Sequence, residues 1–226
     1  MANTLLSLEQ IYHRYSISRD IFNDITLNIG EGDFYCVTGS SGAGKSTFLK
    51  LLSSSLKPTS GNISFNGSNL NDIAQNKLYH IKRQIGFVFQ DFRLLPHLTT
   101  YENVALPLKV QNKKEKNYKM DVVELLNWVN LEHCTHSYPN YLSGGEQQRA
   151  SLARAFIKEP DIILADEPTG NLDTKTSVEI MNLFGHIHAS GNTVILVTHE
   201  EDIALHARRV IRLRDGEIES DKSQDN

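Results

Sequence analysis

Gly39-Ser40-Ser41-Gly42-Ala43-Gly44-Lys45-Ser46 is the stretch that decides how this chain reads. It follows an apolar run, Phe34 to Thr38, and precedes Phe48, Leu51 and Leu52 at helical spacing, so it lies between a buried strand and an opening helix. In that setting the pattern G-x-x-x-x-G-K-[ST] cradles phosphate. Glycines let backbone amides turn inward on phosphate oxygens, and the helix N-terminus adds partial positive charge. Lys45 can then reach the β- and γ-phosphates, while the Ser46 hydroxyl can ligand Mg²⁺. At average composition the pattern arises by chance in about one chain of this length in a hundred.

Working outward, the first third alternates short β-type runs with turn residues: Leu5 to Glu9, Ile25 to Ile29 and Phe34 to Thr38. Ser46 to Ser54 reads as a helix, and Gly61 to Phe65 as a strand leading into an Asn66-Gly67 hairpin turn. From Asp91 to Tyr141 the chain turns charged and helical. Val122, Leu125, Leu126 and Val129 mark one buried helix face, and the run Lys113, Lys114, Glu115, Lys116, Lys119 reads as a solvated helix or loop. After this come a helix from Gly144 to Lys158, a strand Ile162 to Ala165, a helix Thr176 to His188 and a strand Thr193 to Thr198. A hairpin then turns at Asp215-Gly216, between Arg209 to Arg214 and Glu217 to Ser220, and the polar end from Asp221 reads as frayed. No internal repeat is visible. The expected class is α/β, one domain over 1–226: a β subdomain and phosphate-loop core in 1–90, a helical subdomain in 91–141 whose lobe extends into the following helix, and the rest of the core in 159–220.

The composition is that of an ordinary globular chain of 226 residues, with 39% hydrophobic and 22% charged residues. A net charge of −4 provides no general field for gripping nucleic acid or anionic lipid, so no nucleic-acid partner is expected. Two cysteines are too few for a disulfide framework, and Cys36 sits in an apolar run that favours a buried thiol. The start resembles no secretory signal, and no apolar run approaches the ~20 residues of a bilayer span. These features read as cytoplasmic, with any membrane role exercised through a partner.

Two further motifs carry chemistry. Asp161-Ile162-Ile163-Leu164-Ala165-Asp166-Glu167 ends a buried strand on adjacent carboxylates, which projects Asp166 toward a Mg²⁺ site and leaves Glu167 positioned to orient or deprotonate an attacking water. Mononucleotide kinases and GTPases share these two parts. Leu142-Ser143-Gly144-Gly145-Glu146-Gln147-Gln148-Arg149 is, locally, a capping box opening a helix with exposed amides. The full string is expected by chance on the order of once in a million such chains, and it resembles the signature of the ATP-binding cassette (ABC) ATPases.

The resemblance runs from about Leu6 to Ile218 and implies a P-loop ATPase core with an antiparallel β subdomain and a helical subdomain. By that resemblance ATP and Mg²⁺ are the cofactors. Gly39, Ser40, Ser41, Gly42, Ala43, Gly44, Lys45, Ser46 and Thr47 hold the phosphates, and Tyr15 stacks on adenine. Asp166 joins Ser46 at the metal, Gln90 touches Mg²⁺ or the attacking water and links the core to the helical lobe, Glu167 is the base, and His199 contacts the γ-phosphate. Ser143, Gly144, Gly145 and Asp173 serve the opposite site of a head-to-tail homodimer formed with ATP, because a helix N-terminus can donate its free amides to a γ-phosphate. The family further implies an integral membrane subunit as partner, docked near Phe92, Leu94 and Leu95. Phe89 to Leu95, Leu98 to Leu108 and the Glu146-to-Arg149 continuation resemble the cell-division branch of the family. Thr198 to Glu200, Asp202 to Ala204 and Arg209 to Gly216 resemble its lipoprotein-releasing and macrolide-export branch. A soluble cassette ATPase acting on DNA or ribosomes is the remaining reading, and the two cassettes, coiled-coil insertion or zinc cysteines usual in such proteins are not found here.

Overall fold

A computed structural model describes residues 3–16, 19–74 and 77–224. The strands are β1 (Thr4–Ser16), β2 (Arg19–Gly30), β3 (Phe34–Thr38), β4 (Ser60–Phe65), β5 (Ser68–Asn69), β6 (Ile85–Val88), β7 (Ile162–Asp166), β8 (Thr193–Val197), β9 (Arg209–Arg214) and β10 (Glu217–Ser223). The helices are α1 (Lys45–Leu52), α2 (Leu78–Arg83), α3 (Thr100–Val110), α4 (Lys119–Trp128), α5 (Gly144–Phe156), α6 (Thr174–Ala189) and α7 (Glu201–Ala204). Two sheets result. One is antiparallel in the order β2-β1-β4-β5, and the other runs β10-β9-β3-β8-β7-β6. In the second sheet every pairing from β9 to β6 is parallel, and β10 closes the edge antiparallel.

The burial pattern explains the difference between the sheets. β3, β7 and β8 are buried along nearly their whole length, as parallel strands covered on both faces must be, so they read as unbroken apolar runs. β2 alternates instead: Ile25, Leu27 and Ile29 are buried, while Thr26 and Asn28 face out. Its inner face meets Phe48, Leu49, Leu51 and Leu52 of α1, so this helix lies in the core between the sheets. A buried Leu or Phe here contributes about 1.5–3 kcal/mol. A second apolar cluster joins α5 and α6 to the other face of the parallel sheet, and a third holds α3, α4 and the flank of α5 around Val104, Leu108, Val122 and Leu126.

The chain end differs from the frayed expectation. β10 continues through Asp221 to Ser223, because the Arg209 guanidinium forks onto the Asp221 carboxylate and also lies over the Tyr35 ring. Polarity was the wrong signal there: an edge strand can be held by its ladder and one ion pair. Residues 225 and 226 lie outside the described residues. Cys36 is buried between parallel strands, and burial alone pushes its thiol up to about 12.

Candidate nucleotide site

The phosphate loop leaves the C-terminal end of β3, where ligands of open parallel sheets bind. Its turn requires two glycines. Gly39, at φ 154°, approaches the Leu213 carbonyl so closely that a Cβ would sit 2.4 Å from the oxygen, and Gly44, at φ 99°, would press a Cβ to 2.8 Å from the Phe22 ring. With the chain thus turned, α1 begins at Lys45 and aims its N-terminus into a cavity of about 550 Å³. Tyr15, Ser41, Gly42, Lys45, Glu167 and His199 line it.

Within the cavity, Lys45 Nζ donates to the carbonyls of Gly39 (2.8 Å) and Ser40 (3.2 Å). The ammonium is buried against its own loop. Ser46 Oγ donates to Asp166 Oδ1 at 3.2 Å, bringing together hard oxygen donors from α1 and the end of β7. Burial raises the Asp166 carboxyl above its usual range, and the adjacent Glu167 carboxylate raises it further, against a lowering by Ser46. A hydroxyl and a half-buried carboxylate brought together suit a cation, and this hard-oxygen donor set fits Mg²⁺.

Glu167 follows with a left-handed backbone, φ 44°, held by its N–H to the Val197 carbonyl at 2.9 Å. This turn re-aims the carboxylate: Oε1 lies 3.2 Å from His199 Nδ1 at the end of β8. Gln90 approaches from β6. A Cβ placed on Gly170 would lie 3.1 Å from Gln90 Nε2 and 3.6 Å from Glu167 Oε2, so both side chains converge on that glycine. Tyr15 stands at the far wall, 55% exposed, with its hydroxyl 3.2 Å from Thr47 Oγ1 and its ring edge-on to His13 at 4.9 Å.

Ser143, Gly144, Gly145 and Asp173 are not among the residues lining this cavity. They form a second group at the N-termini of α5 and α6. Ser143 Oγ accepts from Glu146 N–H at 3.3 Å, while the Glu146 carboxylate accepts from Ser143 N–H at 2.8 Å and from His133 Nε2 at 2.8 Å. The Ser143 hydroxyl, with these contacts, holds the Glu146 carboxyl down at about 2. The cap satisfies the third amide of the helix, and among the described residues no acceptor takes the Gly144 or Gly145 N–H. Asp173 caps α6, accepting from the Thr176 N–H (3.1 Å) and hydroxyl (2.6 Å).

Several participants were not legible in the sequence. Ile21 joins the cavity wall because β2 folds beside the phosphate loop. Asn171 donates to the Gln90 carbonyl at 3.0 Å, and Gln148, fully buried, donates to the Pro168 carbonyl at 2.6 Å. These contacts join segments well separated in the chain, a loop to a loop and α5 to a loop, and no local pattern announces them. Leu94 packs against the α3–α4–α5 cluster, so the apolar stretch after Gln90 is in part core.

The phosphate loop, the paired carboxylates and the separate α5 N-terminus together define an ATP-binding cassette. The family model for ABC transporters matches residues 22–170, and the chain belongs to that family. It is 42% identical over 221 residues to the cell division ATP-binding protein FtsE of Bacillus subtilis, covering 97% of both chains. It is 41% identical to the macrolide export ATP-binding/permease protein MacB of Chlorobium phaeobacteroides, over 97% of this chain and 34% of that protein. The dimeric structure of the ATP-binding cassette MJ0796 in a post-hydrolysis state, bound to ADP and Pi, superposes with a TM-score of 0.90 at 38% identity, covering 98% of this chain and 99% of that one. The fold is the α/β nucleotide-binding domain and the activity is ATP hydrolysis. No helix is long and apolar enough to cross a membrane, among the described residues.

Proposed function

We propose that this chain is the ATPase subunit of a cell-division ABC complex of the FtsE type, peripheral on the cytoplasmic face of the cell membrane and working with an integral membrane subunit of the FtsX type. The single observation that carries the catalytic reading is the meeting of Lys45, Ser46, Glu167 and His199 around one cavity at the end of the parallel sheet, with Asp166 bonded to Ser46 just behind its wall. Similarity to FtsE over nearly the whole of both chains supports the assignment to cell division. The division into β subdomain and core (1–90), helical subdomain (91–141) and remaining core (159–220) is supported by the separate α3–α4–α5 apolar cluster.

In this reading the phosphate-loop amides and Lys45 bind the β- and γ-phosphates, and Tyr15 stacks on the adenine. Ser46, Asp166 and Gln90 hold Mg²⁺, which when bound neutralises charge on the phosphate oxygens. Glu167 takes a proton from the attacking water at its carboxylate, and His199 orients that carboxylate and reaches the γ-phosphate. The free Gly144 and Gly145 amides, with Ser143 and the Asp173 loop, complete the site of a second copy in a head-to-tail homodimer. Glu167→Gln keeps the shape and removes the base. Turnover is expected to fall by roughly 10² or more, with an ATP-dependent dimer on gel filtration. Near-normal hydrolysis without a dimer would point to another base.

The second reading, the ATPase of a lipoprotein-releasing or macrolide-type export complex, is favoured by the likeness to MacB. Co-expression of the full chain with an FtsX-type or a MacB-type membrane subunit, followed by membrane fractionation, separates the two by which subunit retains it.

A further inference from the structure

Arg154 lies on α5, three turns beyond the signature glycines, and its guanidinium does not seek an acid. It donates from one nitrogen to the Phe92 carbonyl at 2.7 Å and from the other to the Arg93 carbonyl at 2.5 Å. No carboxylate pairs with it among the described residues. A desolvated, unpaired cation is unfavourable, and here burial lowers its proton affinity. The two carbonyls offset that cost with charge-assisted hydrogen bonds in the planar fork that arginine alone presents.

The segment it grips is unusual in its own right. Phe92 and Arg93 are consecutive residues in the left-handed region, φ 58° and 49°, a conformation that side chains disfavour. Their turn is fixed at several points: Phe92 N–H to the Phe89 carbonyl, Arg93 N–H to the Asp91 carbonyl, and the Arg93 guanidinium over the Phe89 ring at 4.0 Å. Asn171 holds the Gln90 carbonyl just before it. Strained backbone persists only where its surroundings over-determine it. Arg154 is the contact in this set that comes from the signature helix, and roughly 16 Å of helix at 1.5 Å per residue separates it from Ser143.

We propose that Arg154 is the positioning residue that fixes the Gln90–Arg93 turn to the signature helix, so that Gln90 and the Ser143–Gly145 amides move as one body. The nucleotide site of one subunit is thereby tied to the half-site it offers the other. This rests on the reading of Gln90 as a metal or water contact and of α5 as a donor to the opposite site. A helix and a loop joined by two bonds to one half-buried group shift together, whereas a loop held only by its own turn would absorb the motion.

The test uses the full chain with Arg154→Met, which keeps the stem and removes the fork, and Arg154→Lys, which keeps the cation but offers a point donor. Amide hydrogen exchange is read at Phe92 and Arg93, with the Leu95 amide, bound to Asn103 Oδ1, as internal control. Exchange at Phe92 and Arg93 is expected to rise about tenfold or more in Arg154→Met, as for the loss of a charged hydrogen bond, with Leu95 unchanged. kcat should fall by about tenfold or more while KM for MgATP stays within about threefold, because the phosphate loop is untouched. If Arg154→Met does not fold, Arg154→Lys carries the test with changes in the same direction. Parent-like exchange at Phe92 and Arg93 overturns the proposal, and so does faster exchange with unchanged kcat. A parallel Gln90→Ala variant with parent-like kcat would instead remove Gln90 from the site, leaving the exchange result to be read by itself.

Discussion

Gly145→Ala is a substitution whose cost can be worked from the structure. A Cβ at this position would lie 2.6 Å from Thr176 Cγ2 and 3.6 Å from an Arg149 guanidinium nitrogen, so it points into its own subunit and away from the free amides. Thr176 cannot simply rotate away, because its hydroxyl is bonded to the Asp173 carboxylate that caps α6. Overpacking of this kind costs about 1–3 kcal/mol. Alanine recovers up to about 1 kcal/mol of helix propensity, less in a first turn. The net expectation is a loss of about 1–2 kcal/mol, or a fall of about 0.3–0.7 M in the urea midpoint for an m value near 3 kcal/mol/M. Thr176→Ser removes the clashing methyl and keeps the hydroxyl, so Gly145→Ala/Thr176→Ser should recover most of the lost stability. It should also restore ATP-dependent dimerisation in a Glu167→Gln background, since the Gly145 N–H is still free. Urea unfolding followed by circular dichroism, with gel filtration on the same samples, measures both. A single variant as stable as the parent, or a double variant with no recovery, refutes the reasoning. A double variant that is stable yet fails to dimerise would show that the glycine is needed at the subunit boundary rather than for space beside Thr176.

Other outcomes follow from the same contacts. Lys45→Ala removes the loop's side-chain cation and should abolish most ATP affinity by calorimetry, and unchanged affinity would take Lys45 out of the site. Phe92→Asp should weaken recruitment by the membrane subunit while ATPase activity of the chain alone stays within a few fold, both measured on the same preparation; unaffected recruitment places the docking surface elsewhere. Glu146, with its carboxyl depressed to about 2 from an ordinary 4.5, contributes stability that is present above pH 4.5 and lost as the pH falls toward 2. Asp166 is shifted the other way, so its protonation relieves a buried charge and partly opposes that loss. Acid unfolding of Glu146→Gln should therefore be flatter than that of the parent between pH 4.5 and 2, and identical profiles would contradict the assignment.

How much of this was legible in the sequence follows from where each signal is stored. The phosphate loop, the β7 carboxylates and the signature capping box are local patterns, and each structural role depends on neighbours within a few residues. Asp166 and Glu167 stand at a strand end in the sequence, and β7 does end at Asp166, because a four-residue apolar run in a parallel sheet has little freedom in where it stops. The turn that separates their directions was not readable: Glu167 adopts φ 44° without being glycine, held there by the Val197 carbonyl. β1 and β2 were underread for the opposite reason. They run 13 and 12 residues, with several register shifts between them that break the alternation pattern seeks. α3 is also indistinct in the sequence, since Pro107 interrupts its pattern, although Thr99 and Glu102 carry the T-x-x-E of a capping box.

The two glycines of the signature motif make a further point about why fold and function are read from the same residues. A capping box normally serves to satisfy a helix end. Here Ser143 and Glu146 satisfy only the third amide and each other, which leaves the first two N–H groups without an acceptor among the described residues, on residues with no side chain. Asp or Glu at these first two positions would favour the helix dipole, yet would place an anion where the proposed dimer brings a phosphate. Glu146 is itself negative, but its carboxylate is engaged by the Ser143 N–H, the Ser143 hydroxyl and His133. The helix is therefore stabilised at its start by an acid whose bonds go to the cap residue and to His133 and not to the two amides it leaves open. That arrangement suits an anion supplied by another molecule, as the proposed closing of a second copy over ATP requires.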